Sequence, residues 1–160
     1  MEKINKILMN PLYKEKFERL RILEKNRKFC NHTLEHFIDV ARIAYIINLE
    51  ENLKFDKEII YAAAMLHDIG RADEYDIGTP HNIAGSYIAR NILLSTESFS
   101  NEDIETIVSA VKEHRSVSYK TTDLGELICR ADKLSRCCFN CKALDECNWS
   151  EEKKNNYLKV

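Results

Sequence analysis

The stretch AAAMLHDIGRADEY, residues 62–75, places a histidine and an aspartate side by side directly after a run of small and apolar residues. The run predicts a buried helix, so His67 and Asp68 should lie at its inner end. A buried polar group costs free energy unless it forms a hydrogen bond or coordinates an ion. The stretch therefore predicts a polar site in the core, where protein groups or a metal ion pair with His67 and Asp68.

The composition of the chain is typical of one soluble globular domain. The chain has 160 residues, of which 44% are hydrophobic and 31% charged, and its formal net charge is −2. Such a balance provides no general basic field for binding a nucleic acid polymer. No run of about 18 apolar residues predicts a membrane span, and the N-terminus lacks the apolar core of a secretory signal. We therefore expect a cytoplasmic protein.

Helical periodicity accounts for most of the chain, and no alternating pattern bounded by turn signals predicts a strand. Asp56 is expected to cap the third helix and Asn101 the fifth, and Pro80 should directly precede the fourth. We expect a compact all-α bundle of about six to seven helices, with residues 71–80 and 115–123 as loops that shape a pocket. Six helices are predicted at residues 12–28, 34–50, 56–68, 81–95, 101–115 and 122–136, and a short seventh helix could follow near the C-terminus.

Several predicted helices carry a histidine or an aspartate on their apolar face. His114 continues a stripe of isoleucine and valine in the fifth helix, and His81 shares a face with Ile88 in the fourth. His36 and Asp132 occupy comparable positions in the second and sixth helices. A single histidine of this kind is usually a core residue with satisfied hydrogen bonds. Several such groups on different helices are typical of a metal site in the core of a bundle.

The ordered set His36, His67, Asp68 and Asp132 resembles the HD superfamily of metal-dependent phosphohydrolases. The segments EHFIDVARIA, AAMLHDIGR and ICRADKLSR are similar to the ligand-bearing segments of that family. The resemblance covers about residues 30–136 and implies the HD-type helical bundle. It also implies that these four side chains bind a divalent metal ion, which would be Fe, Mn, Zn, Co, Ni or Mg.

Two further segments bear on the number of metal ions. TPHNIAGSYIA around His81 and VKEHRS around His114 are similar to segments that supply extra histidines in binuclear members of the superfamily. The resemblance therefore allows a second metal ion, with Asp68 as the bridge. Alternatively, both histidines line the pocket of a site with one metal ion. His32, one turn before His36, is expected outside the set of ligands or in solvent.

The resemblance implies hydrolysis of a phosphate ester or anhydride, as a phosphomonoesterase, phosphodiesterase or pyrophosphohydrolase. The substrate would be a nucleotide or another small phosphorylated metabolite, and Asp68 would orient the attacking water. Arg71 and Arg115 are candidate catalytic residues because guanidinium groups suit phosphate, although both could instead be surface arginines. Two other functions stay open: a di-iron oxygenase on the same ligands, and a non-catalytic sensor that binds a nucleotide or a metal ion.

Residues 137–160 form a short cysteine-bearing extension, which we expect to pack on the helical domain of residues 1–136. Cys138, Cys141 and Cys147 could hold a separate structural Zn ion or an Fe–S cluster, with buried thiols as the alternative. As partner we expect a small phosphorylated substrate, and neither a nucleic acid polymer nor a membrane. The oligomeric state stays open, a homodimer included.

Overall fold

The computed structural model describes residues 1–115 and 122–159, and all the regular elements in these ranges are helical. The all-α fold class expected from the sequence is thus confirmed. None of the described helices is both long and apolar enough to cross a lipid bilayer. The described α-helices are α1 Glu2–Met9, α2 Pro11–Leu23, α3 Leu34–Glu50, α4 Lys57–Leu66, α5 Arg71–Ile77, α6 His81–Thr96, α7 Asn101–Glu113 and α8 Asp123–Leu134. Three short 3-10 helices follow at Cys138–Asn140, Leu144–Glu146 and Glu151–Lys153.

Two of these helices are not predicted by the sequence pattern. Helix α1 precedes the first predicted helix, and α5 occupies most of residues 71–80, which were expected to form a pocket loop. With seven residues, α5 is too short to show an apolar period, and it buries only Ala72. The prediction of a loop at residues 71–80 is therefore wrong. The other predicted loop, residues 115–123, lies mostly outside the described residues.

Two of the three helix starts predicted from capping residues are confirmed. Asp56 accepts a backbone hydrogen bond at the start of α4, and Pro80 directly precedes α6. The predicted cap of α7 is wrong by one residue. Ser100 rather than Asn101 caps this helix, because Ser100 forms a capping box with Asp103.

The centre of the bundle lies where α3, α4, α7 and α8 meet, since α4 packs against each of the other three. The alanines at positions 62–64 of α4 are fully buried, and their small side chains allow neighbouring helices to approach. Large side chains such as Phe37, Leu66 and Ile107 are also fully buried, which stabilises the fold by about 1.5–3 kcal/mol for each residue. The C-terminal end of α4 therefore reaches the interior of the protein.

Gly70 lets the turn after α4 touch the backbone of α6. A Cβ atom on residue 70 would lie 2.2 Å from the carbonyl oxygen of His81 and 2.4 Å from the nitrogen of Gly85. Only a residue without a side chain fits such a close approach. Because His81 is the first residue of α6, this contact also sets how near His81 lies to Asp68.

After α8, the chain folds back over the end of that helix. The buried side chain of Asn155 donates from Nδ2 to the carbonyl oxygens of Lys133 and Arg136, at 2.6 and 3.1 Å. The backbone N–H of Phe139 donates to the carbonyl oxygen of Asn155 at 3.1 Å. These bonds hold the extension against the C-terminal end of α8.

We expect Gly70→Ala to lower the free energy of unfolding by at least about 2 kcal/mol, because the added Cβ forces the turn and α6 apart. Gly85→Ala is a matched control, since its Cβ would lie 3.4 Å from the nearest atoms and alanine favours a helix more than glycine does. Urea denaturation followed by circular dichroism measures both effects. Wild-type stability of Gly70→Ala would contradict the close approach of the two backbones.

Candidate metal centre

Histidines from three parts of the chain surround the carboxylate of Asp68. His67 Nε2 lies 3.2 Å from Asp68 Oδ2, and both residues belong to the turn after α4. His81, the first residue of α6, and His114, which directly follows α7, place Nε2 at 3.3 and 3.5 Å from Asp68 Oδ1. The two oxygens of Asp68 therefore face different histidines.

His36 and Asp132 extend this cluster toward α3 and α8. His36 Nε2 lies 3.4 Å from Asp132 Oδ1, and the ring centres of His36 and His67 are 5.4 Å apart. The possible ligand atoms fall into two groups, and within each group all atoms lie within 4.8 Å of one another. One group comprises His36, His67, Asp68 and Asp132, and the other comprises Asp68, His81 and His114. The structure thus brings together all the residues that the resemblance proposes as metal ligands, with Asp68 common to both groups.

The Nδ1 atoms of the candidate ligand histidines have hydrogen-bond acceptors of their own. His67 and His114 donate from Nδ1 to the carbonyl oxygens of Ala64 and Val111, both at 2.7 Å. Both acceptors lie three residues earlier in the preceding helix, so α4 and α7 orient these rings directly. With the proton on Nδ1, the lone pair on Nε2 is available to an ion.

Side chains orient the other two rings in the same way. His81 Nδ1 donates to Glu74 at 2.6 Å, and His36 Nδ1 donates to Ser135 Oγ at 3.2 Å. The Ser135 hydroxyl donates in turn to the carbonyl oxygen of Asp132 at 2.7 Å, which leaves its oxygen free to accept from His36. In these four histidines, Nε2 is therefore the atom that can coordinate a metal ion.

The Nε2 atoms of the histidines and the carboxylate oxygens face one another in an arrangement that favours a bound cation. Nε2 of His36, His67 and His81 is buried and has no hydrogen-bond partner among the described residues. Each of these nitrogens nevertheless lies 3.2–3.4 Å from a carboxylate oxygen. Both atoms are hydrogen-bond acceptors, so they repel each other unless a positive charge lies between them. Two donors at right angles on one ion, each about 2.1 Å from it, are about 3 Å apart, close to these distances. The donor set therefore fits a divalent metal ion, and imidazole with carboxylate suits the transition series.

The pKa values of Asp68 and the surrounding histidines show how burial and charge act on these groups. Burial would raise the pKa of Asp68, but the nearby imidazole groups of His67 and His114 outweigh burial and hold that pKa well below its ordinary value. Burial lowers the pKa of His67, but the Asp68 charge outweighs it and raises that pKa. Burial lowers the pKa of His36 and His81 to about 4, so both rings are neutral at neutral pH. Neutral imidazole and ionised carboxylate are the forms that bind metal ions.

Glu24, at the end of α2, supports the cluster through His32 and is not predicted from the sequence. Its buried carboxylate accepts from His32 Nδ1 at 2.6 Å and from the backbone N–H of His32 at 2.7 Å. His32 Nε2 then lies 3.3 Å from Asp68 Oδ2, and the ring is buried. The expectation that His32 might be in solvent is therefore wrong, whereas its position beside the ligands agrees with the first alternative. Nothing in the charged sequence around Glu24 distinguishes it from a surface glutamate.

Glu74 in α5 links His81 to both arginines predicted at the site. In addition to its bond from His81, Glu74 accepts from Arg71 at 3.2 Å and lies 3.6 Å from Arg115. Arg71 also donates from Nε to Asp68 Oδ1 at 2.9 Å. Half of the Arg115 side chain is exposed. The structure therefore places Arg71 against the centre and Arg115 at its outer edge.

A cavity of about 420 Å³ opens beside His36 and Asp132. Three arginines contribute to its wall, namely Arg27, Arg71 and Arg136. The cavity is therefore large enough for a small molecule beside the candidate metal centre, and cationic side chains line it.

The cysteines of the extension do not assemble into a metal site. All the cysteines are free thiols, and Cys129 is buried within α8. In the part of the chain that the structure describes, no three sulfur atoms lie within 4.8 Å of one another. Cys138 and Cys141 line the cavity beside the metal centre instead. The structure gives no support for a Zn ion or an Fe–S cluster at Cys138, Cys141 and Cys147.

The chain is similar in sequence to known proteins. The family model described as HD domain matches residues 33–137. An uncharacterized protein of Clostridium beijerinckii is 49% identical over 155 residues, which make up 97% of each chain. Ribonuclease Y of Mycoplasma mycoides is 28% identical over 113 residues, or 71% of this chain and 24% of that protein. The chain therefore spans about a quarter of the length of this ribonuclease Y.

A solved structure shares the fold. It is the crystal structure of a predicted HD superfamily hydrolase from an uncultured Thermotogales bacterium, and it matches with a TM-score of 0.63. The match covers 89% of this chain and 80% of the other, at 23% sequence identity. At this sequence identity, the match shows only that the two proteins share the arrangement of their helices.

Because two donor groups share Asp68, we expect the wild-type protein to bind up to two divalent ions per chain. His81→Ala should reduce this number to one, since it removes a donor from the smaller group. Elemental analysis after loading with Mn²⁺ or Fe²⁺ and desalting measures the stoichiometry. Tyr87→Ala, on the exposed face of the same helix, should leave it unchanged. One ion in wild type and in His81→Ala alike would mean that His81 only lines the pocket.

Glu24→Gln should lower the free energy of unfolding at neutral pH by about 1–3 kcal/mol, because the buried His32 loses its charged partner. Burial raises the pKa of Glu24, but hydrogen bonds from His32 and Tyr75 outweigh it and lower the pKa from 4.5 to about 2. A carboxyl group with a depressed folded pKa stabilises the fold above its unfolded pKa, and this contribution disappears as the pH falls through the folded pKa.

The stability difference between wild type and Glu24→Gln should therefore shrink as the pH falls from 4.5 toward about 2. Urea unfolding at a series of pH values measures this difference. Glu18→Gln is the control, since Glu18 is exposed on α2 and should show no comparable trend. A difference that stays constant over this range would exclude the role assigned to Glu24.

Proposed function

The chain belongs to the HD domain family, and we propose that it is a metal-dependent phosphohydrolase that acts on a nucleotide or another small phosphorylated metabolite. The observation that carries this proposal is the convergence on Asp68 of Nε2 atoms that lack a hydrogen-bond partner among the described residues, beside a cavity with arginines in its wall. The proposed reaction is attack by water on a phosphate ester or anhydride. No nucleophilic side chain is required for it.

The residues that would hold metal are the two donor groups that share Asp68. A divalent ion at such a site lowers the pKa of water toward neutrality and draws charge from a phosphoryl oxygen. The protein contributes rings whose Nδ1 atoms are already bonded, so Nε2 keeps one orientation whether or not an ion is bound. His36 and Asp132 are the partly exposed members of the cluster, which places them between the interior and the cavity.

The arginines favour a phosphorylated ligand, which suits both a phosphohydrolase and a sensor for nucleotides. Guanidinium groups offer planar pairs of N–H donors that match phosphate oxygens. Arg71 has a fixed orientation because Asp68 and Glu74 both accept from it. Molecular oxygen is uncharged, so in a di-iron oxygenase these arginines would serve only the second, organic substrate. A sensor for nucleotides would use the same wall without turnover, and the assay below separates it from an enzyme.

The ribonuclease Y relatives bear on the kind of bond that is cleaved. They are ribonucleases by name, and the match covers only part of their length, so a phosphodiester is one candidate bond beside monoesters and anhydrides. A cavity of about 420 Å³ suits a small molecule, and the net charge of −2 provides no general attraction for a nucleic acid polymer. We therefore place small phosphate compounds first in the substrate panel.

Asp68→Ala should reduce kcat by at least about 10³-fold, because it removes the carboxylate shared by both donor groups. The measurement is phosphate release from a panel of monoesters, diesters and pyrophosphates with Mn²⁺, Fe²⁺ or Mg²⁺. Circular dichroism should show that the variant keeps its helical content. Asp145→Ala, an exposed residue of the extension, should retain full activity.

Full activity of Asp68→Ala would refute this mechanism. Tight binding of a panel compound to the wild-type protein without turnover would instead identify a sensor. An iron chromophore that is lost in air would favour the oxygenase.

A further inference from the structure

The extension forms part of the wall of the cavity at the metal centre. Cys138, Cys141 and Trp149 line this cavity together with His36 and Asp132. The hydrogen bonds of buried Asn155 and an ion pair between Lys28 and Glu146 tie the extension to the helical domain. This part of the wall is therefore built into the fold.

Arg136 joins the metal centre to Trp149. One of its terminal nitrogens lies 3.5 Å from Asp132 Oδ2, and its guanidinium carbon lies 4.0 Å from the centre of the Trp149 ring. Only 15% of the Arg136 side chain is exposed, so the indole and the carboxylate hold it in place. A guanidinium group carries five N–H donors, and Asp132 accepts from one of them. Donors of Arg136 thus remain for a ligand in the cavity.

Trp149 keeps a large accessible surface beside these charged groups. The residue is 41% exposed although Arg136 covers one part of its ring. An aromatic surface next to arginines suits a ligand with both a planar ring and a phosphate. A sugar phosphate would use the arginines alone and leave the indole without a contact.

We propose that the extension makes this site selective for nucleotides, with the base stacked on Trp149 and a phosphate group bound by Arg136. The proposal deepens the phosphohydrolase function and depends on it for the reaction, but nucleotide binding can be tested without turnover. Arg136 and Trp149 are specificity-determining residues in this scheme.

Trp149 is the only tryptophan of the chain, so tryptophan fluorescence reports on this position alone. AMP and ribose 5-phosphate carry the same sugar phosphate and differ only in the adenine base. We expect AMP to quench the emission of the metal-loaded wild-type protein saturably, in stopped-flow measurements completed before turnover. Ribose 5-phosphate should leave the emission unchanged. Absence of quenching at millimolar AMP, or equal quenching by both compounds, would overturn the proposal.

Variants separate the contact with the base from the contact with the phosphate. Trp149→Ala should weaken AMP binding about 5- to 150-fold and leave ribose 5-phosphate binding unchanged, whereas Trp149→Phe should keep most of the preference. Arg136→Gln should weaken both ligands about 10-fold or more. Arg130→Gln is the matched control, since Arg130 lies on α8, is exposed and pairs with Glu51. Calorimetry on the metal-loaded protein, with non-hydrolysable phosphonate analogues of AMP and ribose 5-phosphate, measures these affinities.

The two proposals fail in different ways. If the wild-type protein hydrolyses no phosphate compound but prefers AMP, the phosphohydrolase function is wrong and the nucleotide site stands. If it hydrolyses phosphate compounds but binds AMP and ribose 5-phosphate equally, or if Trp149→Ala weakens both ligands to the same extent, the nucleotide site is wrong.

Discussion

A buried carboxylate surrounded by imidazole nitrogens is the interaction on which the candidate metal centre depends. Asp68 is 2% exposed, and an ionised group at such a position is unfavourable unless positive charge and hydrogen bonds compensate for its lost hydration. The end of α4, the start of α6 and the end of α7 meet at this point. The packing of α4 in the core and the close approach at Gly70 are therefore requirements of the site as much as of the fold.

Helical periodicity could indicate several of the candidate ligands because they continue apolar stripes that have to face the core, whereas the resemblance to the HD family supplied the complete set. His114 follows the stripe of α7, and Asp132 lies at the edge of the stripe of α8. Glu24 and Glu74 could not be predicted in this way. They lie in charged segments, and only the tertiary fold shows that each accepts a hydrogen bond from a histidine of the cluster. Helix α5 was missed because seven residues cannot display a period.

The extension shows a different limit of sequence analysis. Its cysteines suggest a metal site at the sequence level, because thiols close together in sequence often bind metal ions. In the fold, the buried amide of Asn155 fixes the backbone of the extension, and Trp149 lies against Arg136, whose guanidinium group contacts Asp132. A lone tryptophan in a polar segment carries no periodic signal, so only its position over the guanidinium group reveals what it can contact.

The charges around the cavity favour binding of a metal ion and a phosphate together. Arg71 pairs with Asp68, and Arg136 lies beside Asp132, so each of these carboxylates has an arginine close to it. An ion held by the carboxylates would take over their charge compensation and would leave the guanidinium groups available to phosphate oxygens. Phosphate on the arginines would similarly weaken their hold on the carboxylates. By linkage, whatever the ion contributed to phosphate affinity, phosphate would contribute equally to ion affinity. In the proposed function, the arginines that stabilise the carboxylates would therefore couple occupation of the metal centre to occupation of the cavity.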